Sequence, residues 1–536
     1  MTSRNRRLTP PAAEPSVWPR TGARLTLTGV DRKLLLAPLC GLGAALFAIG
    51  VASGCSVLAG YEDLTLSATG SLDGAVSTGA DDGASTGADA NAGALPRLDL
   101  GAASIYSVYP SIFSASGTLP GVTAQLTRIH ALGFNVLSLM PVTPIGAPTA
   151  AHPSNIGSPY CVHDYYAINP AYGSMADLVA LVQAAHALGI YVILDEELNQ
   201  TSWDNGLLTT NPQYYVHTDG NPDNSNSIAG ALSFPDVAQL NYTTTQYGLQ
   251  TYMEAMLEYW LTTYGIDGFR FLTADVTQGG TPTIPASFWQ NLRTELVTVK
   301  PDLLMWADEE DPLLAGAPFA LDYGWLLRGG QVGQTGGAGL QQVANGADAG
   351  ELQTAWQGGV SGYAGVLHTN FLENWDLDED LTVYGGAPNT MAAATFDFTI
   401  DGVPMLWNGE EVGNDTAAGD KMNTIDWQAP NAAAFTAFYT SLVALRNRHP
   451  ALQQGSVTWI PNSAPGQVVS YTRATTSETL LVVISFASQA VTGTLTPPTA
   501  SGWSDVSPTG SPGGITHAAP PSLSLAPYDF AVFLAQ

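Results

Sequence analysis

Tyr191-Val192-Ile193-Leu194-Asp195-Glu196-Glu197-Leu198-Asn199-Gln200 is the stretch on which the fold turns. Four apolar, β-favouring residues run straight into three acids and, one leucine later, two amides. A short unbroken apolar run suits a strand buried on both faces, so the polar residues stand at its C-terminal end. Comparable runs recur on either side, at Ser104–Val108, Asn135–Met140, Gly268–Leu272, Leu303–Ala307, His368–Leu372 and Met405–Trp407. One more strand is weakly signalled near Phe319–Trp325. Helical stretches such as Met175–Leu188 and Tyr247–Tyr264 lie between them. Strands alternating with helices imply a parallel sheet, and this many units predict an α/β fold closed as a (β/α)8 TIM barrel.

A helix ending Leu442–His449 closes that region. Beyond Gly455 the helical period gives way to short β-rich runs between Gly, Pro and Ser turns, clearest at Val468–Thr472, Leu480–Phe486 and Phe530–Leu534. They predict a small C-terminal all-β sandwich. Four segments result: 1–60, an export or lipoprotein-type signal or membrane anchor; 61–97, a tether; 98–455, the barrel, with a loop insertion after its third strand at about 200–245; and 456–536, the sandwich.

The chain has 536 residues, 45% of them hydrophobic, so most of it can bury a core. Only 12% are charged, and the formal net charge is −29. Seven of the 17 basic residues lie in the first 33 positions; from residue 34 onward ten face 44 acids. Such a body repels phosphate backbones, which excludes nucleic acid as a partner and favours a neutral, hydrogen-bonding ligand.

The basic start leads into an uncharged run from Leu34 to Tyr61 that includes Ala52-Ser53-Gly54-Cys55. Basic region, apolar region and small residues have the layout of an export signal. The end of the run resembles a bacterial lipoprotein signal, in which Cys55 would carry the lipid, although Ala52 stands where Leu is usual. A single membrane-spanning anchor is the alternative, since the run is long enough. Both place the remainder outside the cytoplasm, periplasmic or at the cell surface. Residues 61–96 are mostly Ser, Thr, Gly, Ala and Asp, a flexible tether by composition. Cys40 and Cys55 lie in the apolar run, so Cys161 is alone in the body and no internal disulfide or cysteine metal site is available there.

In a (β/α)8 barrel the reactive groups sit at the C-terminal strand ends. Besides Asp195–Gln200, these ends carry Gly268-Phe269-Arg270-Phe271-Leu272, Trp306-Ala307-Asp308-Glu309-Glu310-Asp311 and Phe371-Leu372-Glu373-Asn374-Trp375-Asp376. Acids and amides at four strand ends are costly to bury unless they bind something.

These four segments resemble the four signature regions of the α-amylase family, glycoside hydrolase family 13. Ser158-Pro159-Tyr160-Cys161-Val162-His163-Asp164-Tyr165-Tyr166, Leu139-Met140-Pro141-Val142-Thr143-Pro144 and Trp407-Asn408-Gly409-Glu410-Glu411 resemble the family's flanking segments. The match runs in order from about residue 100 to 455. It implies retaining glycosidase chemistry, with a carboxylate nucleophile, a carboxylic acid and a third substrate-holding acid.

Carried over by position, the resemblance puts the nucleophile at Leu272, the acid at Asp308 (or Glu309 if the register slips by one) and the third acid at Asp376. Arg270, the brace of the nucleophile, and its partner Asp195 are retained. Two sugar-contacting histidines become Gln200 and Trp375; the latter follows Asn374 in the same substrate-binding segment. Tyr160 matches the aromatic that stacks on the −1 sugar. Asn199 matches a calcium ligand; no cofactor is required, and calcium at Asn199 is left open. The Lys-His pair after the nucleophile is Asp275-Val276.

Leucine has no lone pair with which to form a glycosyl-enzyme bond. Aspartate at 308 withdraws the acid by more than ~1 Å, and misplacement of that size can cost roughly 100-fold. The expectation is therefore a monomeric, envelope-anchored α-amylase-like protein that binds α-glucan or maltooligosaccharide with turnover impaired or lost. An active α-glucan hydrolase or glycosyl-transferring enzyme with a rebuilt site is the alternative, and a scaffold without sugar affinity the third.

Overall fold

A computed structural model describes residues 95–536, apart from 153–156, 232–233, 273, 275–276, 279–280, 309, 311–317, 330–337, 363–365, 378–379, 416–423 and 515. The expected signal, tether and Cys55, together with Glu309, Asp275 and Val276, lie outside the described residues. Among those described, no helix is long and apolar enough to cross a membrane.

Eight parallel strands close into a barrel: β1 (Ile105–Val108), β2 (Val136–Leu139), β3 (Tyr191–Glu197), β4 (Gly268–Leu272), β5 (Leu304–Ala307), β6 (Leu321–Tyr323), β7 (Leu367–Phe371) and β8 (Val403–Trp407). β1 pairs with both β2 and β8, which closes the ring. The weakly signalled strand is β6, only three residues long. Gly268 lets β5 come close to β4: a Cβ there would lie 2.3 Å from the Leu304 carbonyl oxygen.

Alternation along each strand sorts the side chains into two layers. Ile105, Val136, Tyr191, Ile193, Leu304, Trp306, Leu321, Tyr323, Phe371, Val403 and Met405 form one buried cluster, the barrel interior. Their neighbours Tyr106, Leu137, Val192, Leu194, Phe269, Phe271, Met305 and Leu406 belong to the larger cluster shared with the helices. The helix Met175–Ala187 shows the matching pattern, burying Leu178, Leu181, Val182 and Ala185 at helical spacing. Ser174 and Asp177 close a capping box at its start. Leu249–Tyr264 ends at Gly265, whose φ of 69° is the left-handed cap that glycine adopts without steric cost.

After β3 the chain forms a three-stranded antiparallel insertion from Gln200–Ser202, Gly230–Ala231 and Phe234–Gln239. Beyond the helix Ala432–Arg448 come β9 (Ser456–Trp459), β10 (Val468–Ala474), β11 (Thr479–Ser485), β12 (Val491–Thr494), β13 (Trp503–Asp505), β14 (Ser522–Leu525) and β15 (Phe530–Ala535). A five-stranded antiparallel sheet, β9-β10-β11-β15-β13, and the β12-β14 pair share one core that includes Leu481, Val483, Val491, Leu523 and Phe533. The core joins two sheets, as a sandwich requires.

Candidate active site

The same alternation places Ser138 on β2, Asp195 on β3, Arg270 on β4 and Asp308 just past β5 on the interior face, one layer above the apolar cluster. Register brings them together, since Asp195 pairs with Arg270 across β3 and β4, and Arg270 with Trp306 across β4 and β5. Arg270 Nη1 donates to Asp195 Oδ2 at 2.7 Å. Its Nε and Nη2 donate to Asp308 Oδ1 at 2.9 and 2.5 Å. Its guanidinium lies 4.7 Å from the Tyr323 ring centroid and 5.4 Å from that of Trp306. Planar, delocalised and weakly hydrated, guanidinium suits such an aromatic floor better than an ammonium.

One cation thus serves two buried acids. Burial drives Asp195 up to about 7, against the pull of Arg270 and with Asp308 adding repulsion; Ser138 Oγ donates to it at 3.4 Å. Asp308 is pushed up to about 6, again mainly by burial, with Arg270 opposing and Asp376 adding repulsion. Both acids thus draw on the one Arg270 guanidinium, and Asp308 adds repulsion at Asp195.

Leu272 ends β4 directly opposite Glu197 on β3 and is 6% exposed. No carboxylate therefore stands at the position that the resemblance gives to the nucleophile. Glu197 faces the same way as Asp195 but is buried, with Oε1 accepting from the Asn199 backbone amide at 2.7 Å. That hydrogen bond ties one of its carboxylate oxygens to its own loop.

Asp376 is exposed on the loop after β7, its backbone amide donating to Asn374 Oδ1 at 2.9 Å. Asn374 is buried and acts here by shaping that turn. Trp375 is half-buried and sits edge-on to Tyr109 with centroids 5.0 Å apart. Tyr160 joins the cluster: burial first, then Asp195, Asp376 and Asp308, hold its phenol far above the usual range, against Arg270. Tyr160, Asp195, Arg270, Asp308 and Asp376 are therefore brought together. Gln200 stands apart, buried in the insertion sheet opposite Gln239.

Asn199 Oδ1 accepts from Gln239 Nε2 at 2.7 Å and from Thr283 Oγ1 at 2.9 Å. An oxygen holding two donors has no lone pair left for a cation. Among the described residues no cluster of three or more His, Cys, Asp or Glu could hold a metal. Among the described residues, those around Asn199 do not fit calcium.

Sequence reasoning did not find Trp306, Tyr323 and Trp325, the last donating its indole N–H to the Asp308 carbonyl at 3.2 Å. Trp306 was within reach, because it precedes Asp308 by two on the same strand face. Tyr323 was not, because its strand is too short to show a period.

The arrangement offers hydroxyl acceptors and aromatic faces at a barrel mouth whose principal cation is already engaged. Residues 81–307 match the model of the alpha-amylase catalytic domain. Alpha-amylase 2 of Dictyoglomus thermophilum is 25% identical over 395 residues, covering 69% of this chain and 64% of that protein. A cyclomaltodextrinase of a Bacillus species is 25% identical over 397 residues, 70% of this chain and 66% of that one. The chain thus spans just under two thirds of the length of these relatives. The crystal structure of an alpha-amylase from Lactobacillus plantarum superposes with a TM-score of 0.68 at 24% identity, over 82% of this chain and 99% of that one. With the closed barrel and the catalytic-domain match in place, the chain is similar to the α-amylase family, glycoside hydrolase family 13.

Proposed function

We propose that this protein binds α-glucan or maltooligosaccharide at the barrel mouth and no longer cleaves it. The observation that carries the reading is the coordination of Arg270, whose donors go to Asp195 and Asp308 while leucine occupies 272. A retaining glycosidase needs one carboxylate to attack C1 and one neutral acid to protonate the leaving oxygen. Here the first is missing, and the second is tied into an ion pair by two short hydrogen bonds. Leucine cannot attack, and an acid pinned by guanidinium has to break that pair before it can donate.

Binding asks for less. Exposed Asp376 accepts sugar hydroxyls, and Tyr160 and half-buried Trp375 offer ring faces to the apolar side of a glucose unit. Titration with maltoheptaose tests this, with Asp376→Ala and Trp375→Ala each expected to weaken binding about tenfold. Unchanged affinity in both would remove the barrel mouth as the binding site, and no binding by the wild type would leave the scaffold alternative.

A second reading, residual turnover, draws on Asp308 being pushed up to about 6 beside Asp376. A carboxyl that holds its proton up to about pH 6 can serve as a general acid. It predicts cleavage that Asp376→Asn abolishes.

The proposal extends to place. We read the protein as held at the cell envelope, outside the cytoplasm, through Cys55. Acyl label incorporated by the wild type and lost in Cys55→Ser is the expected outcome; label retained in Cys55→Ser, or absent from the wild type, favours the membrane-spanning alternative.

A further inference from the structure

Between β13 and β14, residues 506–521 leave the C-terminal sheets and touch the barrel. The Thr509 amide donates to Ser441 Oγ at 2.9 Å, and Thr509 Oγ1 donates to the Ala437 carbonyl at 3.2 Å, both on the helix Ala432–Arg448. A Cβ on Gly510, whose φ is 95°, would lie 3.3 Å from Met391 Sδ on the helix Ala387–Thr399 and 3.4 Å from Phe438 Cβ. The loop is seated closely on two barrel helices.

A cluster centred on His517 ties the same loop back to the sheet. Its Nδ1 lies 2.8 Å from Asp505 Oδ2 at the end of β13, and its Nε2 lies 3.3 Å from Asp529 Oδ1 just ahead of β15. The His517 amide also donates to Asp505 Oδ2, at 2.7 Å. Ser507 Oγ donates to Asp505 Oδ1 at 2.5 Å, the Gly513 amide donates to Asp529 Oδ1 at 2.9 Å, and Ser511 Oγ donates to the same oxygen. The side chains of His517, Asp505 and Asp529 are only 3%, 12% and 1% exposed. Ser511, His517 and Asp505 stand in the order of nucleophile, base and orienting acid. Ser511 is nevertheless buried and gives its proton to Asp529, so no nucleophile is presented.

A neutral imidazole has one N–H to give, and an imidazolium has two. With a carboxylate at each nitrogen, the charged ring satisfies both acids, while the neutral ring turns one lone pair toward a carboxylate. Among the described residues, the charged groups facing the ring are Asp505 and Asp529; Ser507 and Ser511 face it with hydroxyls and Phe533 on β15 with its ring. Burial opposes the charge, yet the hydrogen bonds to Asp529 and Asp505 hold His517 above its ordinary value of 6.5. Against the same penalty of burial, Asp505 is held below its ordinary 3.8 by Ser507 and His517, and Asp529 by His517 and Ser511.

We infer that His517 is the centre of a pH-sensitive latch, which holds the loop to the sheet and against the barrel helices while the ring is charged and releases it when the ring is neutral. The raised imidazole contributes stability that is complete below its ordinary 6.5 and is lost as pH rises through its raised value. The lowered acids contribute theirs above 3.8 and lose it as pH falls through their folded values. The latch is therefore closed in mildly acid solution and opens as pH rises. It stands independently of the glucan reading, because no sugar and no residue of the barrel mouth enters it.

Amide hydrogen exchange on the full chain, divided by the intrinsic rate at each pH, tests it against His517→Gln. At about pH 5.5 the loop amides of the variant should exchange roughly tenfold or more faster than those of the wild type, and by about pH 8.5 the two should converge. Histidine-selective 15N spectra, with His517 identified by the signals that the variant loses, should show both ring nitrogens protonated at about pH 5.5 and a midpoint above the ordinary value. Should the variant fail to fold, the wild type alone carries the test: its loop amides, relative to those of β11 in the same sheet, should lose roughly tenfold in protection over that interval. A ring that stays neutral throughout, or loop protection that does not fall with pH relative to β11, would overturn the latch. So would a difference between wild type and variant that is the same at every pH, which is what a merely structural histidine gives.

Discussion

Arg270 grips Asp308 through two nitrogens, Nε at 2.9 Å and Nη2 at 2.5 Å, both on the same carboxylate oxygen. The third nitrogen, Nη1, holds Asp195 at 2.7 Å, so the guanidinium bridges strands β3 and β5 across β4. Leu272, two residues on from Arg270 along β4, takes no part in that bridge. An arginine that would brace a nucleophile has a different occupation here: it compensates two buried acids in the mouth of the barrel.

Removing the cation leaves both acids buried and uncompensated. Arg270→Ala should cost about 3–5 kcal/mol of stability, the range for breaking a buried ion pair from one side. Chemical denaturation at neutral pH measures it. A loss below about 1 kcal/mol would mean that the acids are solvated or already neutral.

The pH dependence follows from the raised acids. Asp308 stands at about 6 and Asp195 at about 7 in the fold, against an ordinary value of 3.8. A folded pKa above the unfolded one means that the native state holds the proton more tightly. The resulting stability is complete below about pH 4 and is lost as pH rises through about 6 and 7. For Asp308 the loss is bounded at about 3 kcal/mol. Asp308→Asn should therefore flatten the fall in stability between pH 4 and 7, and equal slopes in variant and wild type would contradict the assignment.

Restoring the family residues tests the site as chemistry. Leu272→Asp alone should give little, since Asp308 still holds Arg270 and Trp375 still packs on Tyr109. Combining Leu272→Asp, Asp308→Glu, Trp375→His and Gln200→His should give measurable retaining hydrolysis of an activated α-glucoside. A fourfold variant that folds, binds maltooligosaccharide and releases nothing would show that the assignment of the four segments is out of register.

Much of the fold was legible because parallel strands advertise themselves. Gly268–Leu272 is read and found with the same ends, and Tyr191–Leu194 is extended only by the acids that follow it. β6 was faint because Leu321-Asp322-Tyr323 is too short to carry a period. The site was legible in its members and not in its bonds. Spacing within β4 names Arg270 and Leu272, but the partner of Arg270 depends on how β5 lies beside β4, which no local pattern encodes. The same holds for Glu197, which meets Leu272 only through strand register, and for Asn199, whose oxygen is claimed by Gln239 forty residues later and by Thr283.

The most direct test of the central claim is one sample measured two ways: maltoheptaose titrated calorimetrically into the protein, then followed for new reducing ends over long incubation. Saturable binding with no cleavage above the protein-free control is the expected result. Turnover that Asp376→Asn abolishes would contradict it, because a working nucleophile would then exist that Leu272 cannot supply.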